Sequence, residues 1–478
     1  MKELNNLIEH VVARVSANLR DPGLDVSQYV RNQIPMDSHA MYYGFYALTH
    51  QHPLSFSFKH SSLAGTYFLG KTEVELSVVY KCDIRGDELK RKGTVVDMHG
   101  AKLRLFQDER ISIRHSFLVK TLVHNNSHDP ENVEIFKILN TIALQYSNIH
   151  GTPVEGCIIE PFATVDLSSC HNCIVGAFAY VQGGELSGRR IEPGHILIEN
   201  PGVFSINYQH SPEVLEKYLT LDENHRPSGV FMDFCEARKH DFEPVYNAAQ
   251  PEIPVEFPDT SFVSHYSLIR GDCAIGNNVM VCQRAYVENS RLGDGSNAQE
   301  NCYIINSNYE GMNVTAHGGK VINADLGQGT FTGFNSFVYG REKARVTIGK
   351  DCVTMPHTII DAEEPIGIPD GSLIWGYIRT QADVATNTVL LSEISKQTRF
   401  EQGGLVAEGD LAAFVEGFAH RIQHILEENG AYFDAGDPDR TAGHAQKTQD
   451  VGYNTVQAYM GGDLKGLCPT MRIEPLIP

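Results

Sequence analysis

His124 and His128 stand four residues apart, the spacing that lets two imidazoles share one helix face and one metal ion. Between them Asn125-Asn126-Ser127 is turn chemistry, and Asp129-Pro130 looks like an N-cap with proline at the first helical position. The pair therefore straddles a loop and a helix start, and two readings stand. In one, a non-helical loop gathers both rings with His150 of Ile149-His150-Gly151 to bind a substrate or cofactor. In the other, the pair serves loop hydrogen bonding and capping. Cys170-His171-Asn172-Cys173 is the only CxxC, and a zinc site would want a second pair nearby. Neither GxGxxG nor GxxxxGK[ST] occurs, which argues against a dinucleotide-binding or P-loop domain.

What must position such residues is a chain whose dominant period is six. From Phe262 to Tyr377, Val, Ile or Leu returns every sixth residue with a small or polar residue behind it. Val263, Ile269, Ile275, Val281 and Val287 begin the run. After a one-residue slip come Leu292, Ala298 and Ile304, and after further slips Leu326, Thr332, Val338, Ile348, Thr354 and Ile360. A period of six is one short strand plus one corner. Three such hexads make a triangular coil, and coils bury their apolar edges only by stacking. Gly276, Gly293, Gly327, Gly333 and Gly349 sit where the chain must bend. Many cysteines fall at inward or corner positions, where a small thiol packs well, so packing is preferred over metal or redox chemistry for them.

A second tract of the same kind begins near Leu63, is interrupted over 90–151 by expected strand and helix, and resumes at Ile159. The expected helix runs through Val133, Phe136, Leu139, Ile142, Ala143 and Tyr146. Ile84-Arg85-Gly86-Asp87 recurs as Ile269-Arg270-Gly271-Asp272, which suggests either an internal duplication or a tetrapeptide suited to tight corners. The domain plan is therefore a helical cap over 1–55, a first hexapeptide tract over 56–193, a connector over 194–258, a second tract over 259–380, and a helix with an extended tail over 381–478. The N-terminal helix, with Leu4, Leu7, Ile8, Val11, Val12, Val15 and Leu19 on one face, is expected to cover an end or side of the coil and to cap it. A second helix is expected from Asp410 to Glu428.

With 39 Lys+Arg against 59 Asp+Glu over 478 residues, the net charge of −20 argues against nucleic acid or an anionic membrane as partner. No signal peptide and no apolar run of about 18 residues is read in the sequence, and ten scattered cysteines suit a reducing cytoplasm.

On its hexads the chain resembles the bacterial hexapeptide-repeat transferase superfamily. That resemblance implies a mainly β protein built on left-handed parallel β-helices, assembled as a homotrimer, with small-molecule substrates. It further implies an acyltransferase in which a histidine takes a proton from a hydroxyl or amine acceptor that then attacks a coenzyme A thioester. His317, in Asn313-Val314-Thr315-Ala316-His317-Gly318-Gly319-Lys320, fits that general base best, with His265 and His357 behind it. Lys320 and Arg270 are candidates to contact an anionic substrate or the phosphates of the cofactor.

Pieces of the chain also resemble the γ-class carbonic anhydrases. That likeness implies an Arg270/Asp272 pair at a subunit interface, Gln299 beside a bound water, and His317 as one metal ligand. Two further ligand positions of that pattern are not matched: Ile322 and the stretch Ile304-Ile305-Asn306 stand there instead. A divalent metal would thus need a rebuilt shell drawn from His265, Glu288, His317 or His357. A third reading, of a different class, is a non-catalytic trimeric scaffold.

Overall fold

A computed structural model of the protein describes residues 1–47, 55–98, 100–124, 132–248, 251–428 and 453–474. They form two compact units. The first comprises Met1–Pro193, Leu215–Lys239 and Gln449–Pro478, the second Gly194–Val214 and His240–Thr448. Each is built on a left-handed parallel β-helix with three flat faces.

In the first unit one face stacks the strands Gly44–Ala47, Tyr67–Leu69, Asp83–Arg85, Leu122–His124, Asn148–His150, Thr164–Asp166 and Tyr180–Gln182, all parallel. The α-helix Lys2–Leu19 lies along another face. Its Leu4, Leu7, Val11 and Val15 pack with Val78, Tyr80, Phe117, Val119, Ile142 and Ile158. The helix thus covers a side of the coil. The end is closed by the strands Tyr453–Val456 and Met471–Ile473, which pair antiparallel with Gly44–Ala47 and Phe56–Lys59 and satisfy the open edge of the first coil.

The helix expected through Val133 to Tyr146 does not form. Ile135–Leu139, Ile142–Ala143 and Asn148–His150 are strands. Phe136 and Ile138 point inward with period two, stacked between Arg110–Arg114 and Val154–Glu155. An apolar spacing that also suits a helix is here overridden by coil stacking. The helical insertion is therefore corrected: the coil resumes at Arg110, and outside it stands an antiparallel hairpin of Val95–Met98 and Ala101–Arg104.

The second unit stacks its coils from Phe262–Val263 to Tyr377–Ile378, with Val263, Ile269, Ile275, Val281, Val287, Leu292, Ala298 and Ile304 all in one buried core. Thr388–Leu390 turns back antiparallel on Ser372–Ile374 at the last coil. The hairpin His195–Asn200/Phe204–Gln209 and the strands Arg399–Gln402 and Leu405–Gly409 pair antiparallel beside the helix Leu411–Glu428.

Coil length varies. Stacked positions are 16 residues apart over part of the first unit, as at Thr141 and Cys157, and 17 apart over part of the second, as at Asn308 and Asp325, while Val263 and Val281 are 18 apart and Val338 and Ile360 are 22 apart. The slips in the sequence pattern are corners that lost or gained residues. At one of them Asn289, Asn306 and Asn323 take φ of 46°, 49° and 48°, the left-handed region that asparagine tolerates best after glycine. Gly271 occupies the same corner with φ 68°, and a Cβ there would lie 2.0 Å from Asn289 Oδ1.

Buried Cys82, Cys157 and Cys173 are rungs of inner polar ladders. Ser77 N–H donates to Ser61 Oγ (3.2 Å), Ser116 N–H to Ser77 Oγ (3.1 Å) and Thr141 N–H to Ser116 Oγ (3.2 Å). Cys157 N–H donates to Thr141 Oγ1 (3.5 Å), and Cys173 N–H to Cys157 Sγ (3.3 Å). Burial pushes the Cys157 thiol well up, which keeps it a neutral donor to Glu155 O. All ten cysteines are unbridged.

Candidate functional site

In the second unit Glu300 and His317 occupy the same position one coil apart, each followed by a corner residue with positive φ. Asn301 (57°), Gly318 (72°), Asn335 (48°) and His357 (60°) form that column of corners. Gly318 N–H donates to Glu300 O (2.9 Å) and Asn335 N–H to His317 O (3.0 Å), so the backbone holds the two side chains in one line. A Cβ on Gly318 would lie 2.1 Å from Asn335 Oδ1, which only glycine avoids. His317 Nδ1 sits 2.8 Å from Glu300 Oε2, with side-chain exposures of 1% and 0%. A carboxylate this close to Nδ1 favours the tautomer that carries its proton there, the arrangement that would free Nε2 to accept one.

The other sites expected in this unit are placed as follows. Lys320 is buried beside His317, its Nζ donating to Gly318 O at 2.7 Å, so it braces the corner. Gln299, also buried, donates its backbone N–H to Thr315 O (3.1 Å). His265 Nδ1 lies 2.7 Å from Pro251 O. His357 stands at a coil corner, and its carbonyl lies 2.9 Å from His210 Nε2. Burial, against that one hydrogen bond, pushes His210 down to about 4. Arg270 pairs with Asp241 (2.5 Å), and its Nη1 donates to Tyr286 Oη (3.3 Å). Asp272 instead has its backbone N–H on Asn289 Oδ1 (3.1 Å).

In the first unit, Arg85, His124, His150, Asp166 and Gln182 are register partners on five successive strands of one face. Arg85 Nε donates to Asp87 Oδ1 at 2.9 Å, so the first Arg-Gly-Asp closes on itself where the second does not. His124 Nε2 lies 3.3 Å from Glu88 Oε1 and 3.8 Å from Asp87 Oδ1. Burial works to raise the Glu88 carboxyl. The charge and hydrogen bond of His124, with Arg85 and His150, outweigh it and hold the group well below the carboxylate range. His124 and His150 meet edge to face, ring centres 4.8 Å apart. His150 Nδ1 lies 3.0 Å from Asp166 Oδ1, and Tyr180 Oη donates to Asp166 Oδ2 at 2.5 Å. His128 falls outside the described residues. His124 and His150 are thus together, with the Glu88 carboxylate beside His124 Nε2.

Sequence reasoning missed Glu88, Asp166, Tyr180 and Glu300. A signal existed for Glu300: it precedes His317 by one 17-residue coil, the step that also separates Asn308 from Asp325.

The chain was compared with known proteins. The family profile described as hexapeptide repeat including loop matches residues 101–223. A crystal structure of a "putative acetyltransferase" from Desulfovibrio desulfuricans G20 is similar over the whole length, with 48% identity, 99% of each chain covered and a TM-score of 0.91. No curated protein matches the sequence. The stacked coils of both units, with nearly half of all residues shared along the full length of that acetyltransferase-like structure, make this chain a member of the hexapeptide-repeat transferase superfamily.

Proposed function

We propose that the protein moves an acyl group from a coenzyme A thioester to a hydroxyl or amine of a small acceptor, with His317 as general base and Glu300 orienting it. The observation that supports this most is the buried His317–Glu300 pair on a glycine corner. Nε2 of neutral His317 takes the proton of the acceptor O–H or N–H, and the freed lone pair attacks the thioester carbonyl. The tetrahedral intermediate then collapses with cleavage of C–S, and the proton on Nε2 passes to the leaving thiolate. Near-complete burial of the imidazole keeps bulk water away from a hydrolysable thioester. This reading carries with it a homotrimer, a cytoplasmic location and two hexapeptide tracts over 56–193 and 259–380 on one chain. The test is thiol release from acetyl coenzyme A over a panel of small alcohols and amines. His317→Ala should lower kcat/KM by about 10²–10⁴-fold. Turnover at the wild-type rate in that variant, or no thiol release with any acceptor, would sink it.

A second reading rests on the convergence of Glu88 and Asp87 on His124 Nε2. It places a divalent cation there, in a hydrolytic or hydrating enzyme. Metal analysis of untagged, chelator-washed protein beside His124→Ala separates the two: near-stoichiometric metal lost in the variant favours this reading, and metal-free active protein favours acyl transfer.

A further inference from the structure

The hairpin Val95–Met98/Ala101–Arg104 is one of two places in the first unit's described sheet structure, with Thr220–Leu221/Pro227–Ser228, where two strands pair only with each other. Its register sets Val95 opposite Arg104, Val96 opposite Leu103, Asp97 opposite Lys102 and Met98 opposite Ala101. Because side chains alternate between faces along a strand, Val96, Met98, Ala101 and Leu103 share one face and the charged residues share the other. The apolar face is only partly covered: Val96 and Met98 are half-buried, Ala101 is exposed and Leu103 is 40% exposed, beside Phe106 at 81% and Val95 of the other face at 57%.

A two-stranded hairpin is at best marginally stable in water without a third strand or a packed partner. This one is nevertheless firmly rooted. Gly93 N–H donates to Leu105 O and Leu105 N–H to Thr94 O, both at 2.9 Å. Lys90 N–H donates to Glu109 Oε2 and Lys92 N–H to Asp108 Oδ1, both at 2.8 Å. Phe106 N–H is taken by Glu134. An anchored base and two amphipathic strands left partly exposed are the marks of an arm shaped for a partner.

Charge indicates which partner. Residues 90–104 carry five basic side chains, Lys90, Arg91, Lys92, Lys102 and Arg104, against Asp97 alone, on a chain whose net charge is −20. A basic arm on an acidic protein is complementary to the surface of that same protein. We infer that this hairpin is an assembly arm that docks, apolar face inward, on the acidic surface of a second copy of the chain. The inference is independent of the reaction assigned above.

The test uses the full chain. Sedimentation over a concentration series gives the mass and dissociation constant of the wild type, of Lys102→Glu/Arg104→Glu, and of Val96→Glu/Leu103→Glu. The charge-reversal pair alters exposed side chains only and should fold as the wild type, checked by circular dichroism. Each double variant should weaken self-association at least tenfold, and added salt should weaken the wild type in the same direction. Amide exchange over 95–104 should become slower as protein concentration rises. A wild type that stays monomeric, an assembly indifferent to both double variants, or hairpin protection independent of concentration, which would mean cover by the chain's own residues, each overturns the inference.

Discussion

Glu300 and His317 lie one coil apart with Oε2 and Nδ1 separated by 2.8 Å, and both side chains are buried. The carboxylate orients the imidazole while the stacked corners fix the distance. Glu300→Gln keeps the shape and loses the charge, and its amide N–H can favour the wrong imidazole tautomer, so kcat should fall by up to about 10⁴-fold with KM little changed. Glu300→Ala removes the acceptor altogether and should lower kcat too. Steady-state kinetics of the two variants check this; equal effects on kcat and KM would point to a structural role.

Gly318→Ala places a Cβ 2.1 Å from Asn335 Oδ1 in a backbone with φ 72°. The expected cost is about 1–3 kcal/mol, with loss of activity as His317 is displaced. Thermal unfolding and turnover of the same sample measure both.

The hairpin base supplies a pH signature. Burial first, with the neighbouring Glu134 charge adding and the Lys90 N–H opposing, raises the Glu109 carboxyl to about 7 from 4.5. Below 4.5 both folded and unfolded chains hold the proton. Between 4.5 and 7 only the folded chain does, so this group's contribution to stability falls by roughly 3 kcal/mol as pH rises through that window and is flat above it. Glu109→Gln should flatten that limb in denaturant titrations at pH 5 and 7.5. An unchanged slope would contradict the assignment.

Cys157→Ala takes the acceptor from Cys173 N–H inside the coil and should cost about 1–3 kcal/mol. Cys157→Ser, which restores a rung like Ser77 or Ser116, should cost less. Chemical unfolding of the two variants decides whether these thiols serve the ladder.

Chelator-washed protein should keep its thiol-releasing turnover within about twofold, since the acyl-transfer step draws on His317 and Glu300 alone. Elemental analysis run beside the assay shows whether a cation at His124 and Glu88 alters the rate.

The six-residue return of Val, Ile and Leu determined the β-helix, because a narrow prism accepts those side chains at inward positions and little else. It also marked the corners, where glycine or asparagine must take positive φ, as at Gly318 and Asn289. The N-terminal and C-terminal helices were legible from amphipathic spacing, and the cysteines from their place in the repeat. Val133 to Tyr146 misled, since Phe136, Leu139, Ile142 and Ala143 suit a helix face as well as stacked strands, and only neighbouring coils choose between them. The partners of the histidines were not legible. Whether Glu300 faces His317, or Asp166 faces His150, depends on how many residues each coil spends at its corners. That number, 17 from Glu300 to His317 and 16 from His150 to Asp166, is fixed by stacking rather than by any local run of residues.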